Sequence, residues 1–158
     1  MFLFRSPTAR QLNLALAVLR IGVGAIFMAH GAQKLFSFGF AGVSGAFGHM
    51  GIPFAGIMGP FIALLEFFGG ISLVLGLLTR LASLGLVFNM LGAISFVHLN
   101  NGFFLPNGYE YALSLAISSL ALVFAGAGEY SLDALIGRKA GVPTKLVARE
   151  NEKARRAA

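Results

Sequence analysis

Four apolar stretches, each of about 17–22 residues, fill most of this 158-residue chain. They run over about 12–32, 57–78, 81–98 and 111–127, and together they contain two formal charges, Arg20 in the first and Glu66 in the second. Each is near the roughly 17–25 residues that cross a bilayer as a helix. A backbone in hydrocarbon must satisfy its own N–H and C=O groups, which leaves helices or a closed barrel, and runs of this length fit helices. The balance of the sequence agrees. Charged residues make up 11%, against roughly 25% in soluble domains. Eighteen charges cannot solvate a globular surface of this size, and so apolar a chain is not disordered. The expected class is all-α, an integral membrane four-helix bundle.

Arg5 and Arg10 precede the first stretch as in a secretory signal, but Arg20 interrupts the run and the run exceeds a signal core, so it reads as a retained span. Lys and Arg counts orient the rest. Arg5, Arg10, Arg80 and the seven cations beyond residue 137 fall on one side of four spans, and Lys34 alone on the other. That bias predicts cytoplasmic N- and C-termini. Residues 1–137 form the membrane domain, and 138–158 a basic cytoplasmic tail suited to anionic lipid rather than nucleic acid. Residues 35–56 are uncharged, Gly-rich and apolar. They predict a short interfacial or re-entrant segment between the first two spans.

Ionisable residues inside spans are candidates for function because they are costly to insert. Arg20 and Glu66 both fall near mid-span, and at similar depth they predict a direct or water-bridged pair. Asn89, Ser118 and Ser119 reach the same layer from the third and fourth spans. Such a layer is either a polar lock fixing helix order or the floor of a site. A second group gathers at the outer end. His30 and Lys34 are i,i+4 neighbours, and His98 and Glu110 arrive from the other side, with His49 in the intervening segment. A quinone head needs donors for two carbonyls and aromatic packing, which His30, Lys34 and the surrounding Phe residues supply. His98 lies nine residues after Asn89, about half a turn round an α-helix, so if Asn89 faces the core His98 faces away unless the helix has ended. Cys is absent, which excludes iron–sulfur ligation and covalently attached haem. Three His without paired spacing predict no bis-His haem and no metal site. Gly22-Val23-Gly24 is no phosphate loop, and Gly24-Ala25-Ile26…His30 matching Gly92-Ala93-Ile94…His98 is a weak internal repeat.

Leu19-Arg20-Ile21-Gly22, Phe27, His30-Gly31 and Lys34-Leu35, then Gly51-Ile52-Pro53, Glu66 with Gly69-Gly70, Leu75-Gly76-Leu77 with Thr79-Arg80, and Ser131-Leu132-Asp133 follow in a particular order. In that order the chain resembles the DoxX family of small bacterial membrane proteins, over about residues 19–137. The resemblance implies a four-helix protein of the bacterial inner membrane and a link to quinone-dependent oxidoreductases, with no catalytic residue assigned. Three functional readings follow. One is a membrane subunit of a quinone-linked oxidoreductase, binding an exchangeable quinone or quinol near the outer ends of helices 1 and 3 and fed by a redox partner protein. The others are a non-catalytic scaffold and an oligomeric small-molecule transporter. Besides lipid and a redox partner, a second copy of the chain is an expected partner.

Overall fold

The computed structural model describes residues 6–140, and the tail beyond Ala140 lies outside the described residues. Every regular element among them is helical. Helix α1 covers Ala9–Ala32 and opens on a capping box, in which Thr8 accepts from the Gln11 N–H and the Gln11 side chain accepts from the Thr8 N–H. It passes without interruption into a π-helical segment, Gln33–Phe38. Gly39, at φ +66°, then redirects the chain into α2, Gly39–His49. A turn leads to α3, Ala55–Leu75, and a tight turn to α4, Thr79–Ala93. Helix α4 ends in a second π-helical segment, Ile94–His98, and a short 3₁₀ turn. Helix α5 spans Glu110–Ala125 and a short α6 spans Leu132–Lys139. The segment expected between the first two spans is therefore a helix, α2, lying against the first turns of α3 with Ser44 on Gly59.

Among the described residues three helical stretches are long and apolar enough to cross a membrane: α1 with its continuations, α3, and α4 with its continuations to Asn101; α5 is a shorter apolar helix. Large apolar side chains cover the outside: Val18, Phe36, Phe88 and Phe124 are each at least 65% exposed. An apolar surface on this scale has a lipid neighbour. Inside, Phe27, Leu73, Leu86 and Leu122 are almost fully buried and tie α1, α3, α4 and α5 into one core.

Between lipid-solvated helices, close van der Waals contact replaces the hydrophobic drive, so small residues set the packing. Helices α1 and α3 meet through glycines. A Cβ built on Gly70 would stand 2.4 Å from the Met28 nitrogen and 2.7 Å from the Gly24 oxygen, and one on Gly31 would stand 2.2 Å from the Phe67 nitrogen. These obstacles are backbone atoms and cannot rotate away. Gly70→Ala is therefore expected to destabilise the protein by about 1–3 kcal/mol through forced separation of the helices. Gly22→Ala, with nothing within 4 Å of its Cβ, is expected to stabilise by up to about 1 kcal/mol through helix propensity. Opposite shifts in melting temperature in mild detergent are the expected readout, and shifts of the same sign would refute the account.

The start of α1, the α3–α4 turn, the end of α5 and α6 all meet at one end of the bundle, as an even number of passes requires. Asp133 of α6 accepts hydrogen bonds from the Leu78 and Thr79 N–H groups at 2.7 and 3.0 Å and so caps α4. Its own N–H donates to the Gly76 carbonyl at 2.9 Å. Asn13 of α1 accepts from the Glu129 N–H at 3.1 Å, and Arg80 donates to the Phe124 carbonyl at 3.2 Å. Arg10, Arg138 and Lys139 lie at this same basic end.

Candidate functional site

The glycine contacts between α1 and α3 fix which polar groups can meet. With Gly24 against Gly70 and Gly31 against Phe67, Lys34 in the π-helical continuation of α1 comes level with Glu66. The two form an ion pair in which Glu66 is 5% and Lys34 21% exposed. The second oxygen of Glu66 accepts from the Asn89 side-chain amide of α4 at 2.8 Å. Three helices thus bring Lys34, Glu66 and Asn89 into one bonded cluster.

Arg20 is not part of it, which corrects the expected Arg20–Glu66 pair. Its guanidinium donates to the Leu73 carbonyl at 2.9 Å, to the Val74 carbonyl at 2.5 Å and to the Tyr130 carbonyl. Leu73 is seven residues beyond Glu66, about 10 Å along the helix. The depth inferred from span lengths was wrong because α1 starts earlier and runs on further than the apolar run suggests. At that position Arg20 satisfies carbonyls at the C-terminus of α3, where helices have unpaired acceptors and a negative dipole end. Gly76, at φ +68°, leaves room for it: a Cβ there would lie 3.0 Å from the guanidinium carbon and 2.5 Å from Ser131.

Asn89 therefore shares the layer of Glu66, whereas the two serines do not bond to the cluster. Ser119 is fully buried with its hydroxyl unpartnered, and Ser118 is half-buried.

Above the cluster, away from the basic end, lies a cavity of about 270 Å3. Its polar wall is His30, Lys34, Glu66, His98 and Tyr111, and its apolar wall includes Phe27, Met90 and Leu115. Three of the four expected ligand residues converge here. Glu110 does not line it. Its carboxylate accepts from the Leu105 N–H at 2.9 Å and closes the loop before α5. His49, at the end of α2, is exposed and also outside the cavity. Tyr111 is the residue that sequence reasoning missed. It stands in the first turn of α5, with its ring centroid 6.4 Å from that of His30.

The two π-helical segments explain how these groups share one space. Bonding i→i+5 turns the chain less per residue than an α-helix, and π-bulges are frequent at functional sites. Lys34 sits in the first segment and ends the second is His98, so the half-turn that would separate His98 from Asn89 on a regular helix is altered. His98 Nδ1 is 2.8 Å from the Asn107 carbonyl. A carbonyl only accepts, so Nδ1 carries a proton and, in the neutral ring, Nε2 is an acceptor.

A second cavity, of about 540 Å3, lies between α2, α3 and α4. It shares Lys34, Glu66 and Ala93 with the first.

Comparison with known proteins places these features in a family. The model of the DoxX family matches residues 15–99. A Haemophilus influenzae protein, named only as uncharacterized, is 38% identical over 122 residues, covering 75% of this chain and 87% of its own. The Bacillus subtilis protein named "Putative oxidoreductase CatD" is 31% identical over 137 residues, covering 84% of this chain and 96% of its own. The Escherichia coli inner membrane protein YqjF is 35% identical over 132 residues, covering 80% and 95%. No solved structure matches the chain.

Proposed function

The chain belongs to the DoxX family of membrane proteins, and from that premise we propose that it is the membrane subunit of a quinone-linked oxidoreductase system. The reading rests on one observation: His30, Lys34, His98 and Tyr111 meet in a single cavity whose other wall is apolar. A quinone head is a flat ring with two carbonyl acceptors, so it calls for donors at its edge and apolar groups at its face. Its conversion to a quinol takes two electrons and two protons. Imidazole, phenol and ammonium groups hold protons at the cavity wall, and Nε2 of a neutral His98 accepts a hydrogen bond from a quinol hydroxyl. The chain has no cysteine for an iron–sulfur centre, so the electrons come from a separate redox protein. The name of the CatD relative as an oxidoreductase supports this reading. The basic end, with Arg10, Arg80, Arg138 and Lys139, faces the cytoplasm of a bacterial inner membrane under the positive-inside rule, which puts the cavity near the outer face.

The test begins with protein purified in mild detergent and extracted for bound small molecules. A lipid quinone is expected in the extract. His30→Ala combined with His98→Ala is expected to weaken its retention by about tenfold or more, at roughly 1–3 kcal/mol for each polar partner lost, with little change in melting temperature. Consistent absence of quinone, together with a stably co-purifying partner protein, would replace this reading with that of a non-catalytic scaffold.

A further inference from the structure

The smaller cavity, at about 270 Å3, falls just below the roughly 300–1,000 Å3 of small-molecule sites. It holds a head group and little more. The larger cavity, about 540 Å3, adjoins it and has a different character. Its only polar lining groups are Lys34, Glu66 and Asn89, which are bonded to one another. The remaining wall, including Phe47, Phe88 and Phe96, offers hydrocarbon alone. Away from that one polar corner, a space lined in this way has no partners to hold ordered water. Its rim faces the apolar outside of the protein, since Phe61, Phe88 and Phe96 are each at least half exposed. Of the three residues in the wall common to both cavities, Ala93 alone has no long side chain to block passage.

We propose that the chamber between α2, α3 and α4 seats the prenyl tail of the quinone whose head lies in the cavity of His30, His98 and Tyr111. The ligand class is thus a long-chain, membrane-dissolved quinone, which enters sideways between α2 and α4. This inference rests on the quinone reading of the head cavity and adds the specificity for the chain. The shared wall places Lys34 and Glu66 beside the junction of head and tail.

Gly92 provides the test. It lines the chamber, and a Cβ built on it meets nothing within 4 Å, so a large side chain there fills space rather than striking backbone. Gly22, equally open and lining neither cavity, is the control. Binding of two quinones with the same ring, one prenylated and one without a tail, is measured for wild type, Gly92→Phe and Gly22→Phe in the same detergent. Wild type and Gly22→Phe are expected to favour the prenylated quinone. Gly92→Phe is expected to lose about tenfold or more of that preference while binding the tailless quinone as before. A photoreactive group at the tail end is expected to label α2 or α4. Equal binding of both quinones by wild type would overturn the tail seat while leaving the head site standing. Binding of neither would overturn both. A Gly92→Phe variant that keeps its tail preference but loses co-purifying phospholipid would show the chamber to hold an acyl chain, and would also overturn the inference.

Discussion

Replacing Arg20 by leucine is expected to destabilise the protein by about 2–6 kcal/mol. Its guanidinium serves the carbonyls of Leu73, Val74 and Tyr130, and Arg20 is 4% exposed. The Leu73 carbonyl also accepts from the Gly76 N–H at 3.1 Å, but leucine would strip the partly buried Val74 and Tyr130 carbonyls of this donor, at roughly 1–3 kcal/mol each. The damage extends beyond α3, because Tyr130 belongs to the segment joining α5 to α6, and Asp133 of α6 caps α4. One side chain therefore ties α1 to α3 and to the segment between α5 and α6 at the basic end. Arg20→Lys is expected to recover only part of the loss, since a compact ammonium does not reproduce the fork that reaches carbonyls on two separate segments. Thermal unfolding in mild detergent gives the magnitude, and limited proteolysis between Gly126 and Ser131 shows where the structure opens. A melting temperature for Arg20→Leu indistinguishable from wild type would remove this role.

How much of this was legible beforehand depended on whether the information was local. The spans were legible because a bilayer imposes a length and excludes charge, and a run of apolar residues records both directly. The helical nature of residues 39–49 was legible in outline, because an uncharged, Gly-rich stretch between spans fits a short helix better than a free loop. The partner of Glu66 was not. Depth along a span was taken from where hydrophobicity begins and ends, but the register of α1 against α3 is set by backbone contacts at Gly24, Gly31 and Gly70, which composition does not weight. The residue that comes level with Glu66 is Lys34, fourteen residues beyond Arg20 and about 20 Å further along a helix. The separated pieces Arg20, Gly76, Ser131 and Asp133 were visible as sequence marks, yet only the fold shows that they form one clamp. His98 was legible as a member of the outer group, but not how it could share a space with the Asn89 side of α4, since a π-helical segment does not obey the arithmetic of an α-helix. Tyr111 carried too little signal: one tyrosine at the mouth of an apolar run is as common in a membrane interface as in a site.

The ion pair yields the second large effect, and its two members are not equivalent. Glu66→Leu removes the acceptor of both Lys34 and Asn89, leaving an ammonium and an amide without partners. Lys34→Leu leaves Glu66 its bond from Asn89, and a carboxylate can also take up a proton and become neutral. Glu66→Leu is therefore expected to cost about 3–5 kcal/mol, the usual penalty for orphaning half of a buried pair, and Lys34→Leu distinctly less. The Lys34→Leu, Glu66→Leu double variant is expected to fold better than Glu66→Leu alone, because no uncompensated charge remains. Arg20→Leu combined with Glu66→Leu is expected to be additive to within about 0.5 kcal/mol, as for sites about 10 Å apart with no shared partner. Strong coupling between Arg20 and Glu66, or none between Lys34 and Glu66, would reverse the assignment. The folded Lys34→Leu, Glu66→Leu variant then distinguishes structure from function, because the pair stands in the wall of both cavities. It is expected to fold and yet to lose bound quinone. Full retention of quinone would show the pair to be a lock between α1 and α3 alone.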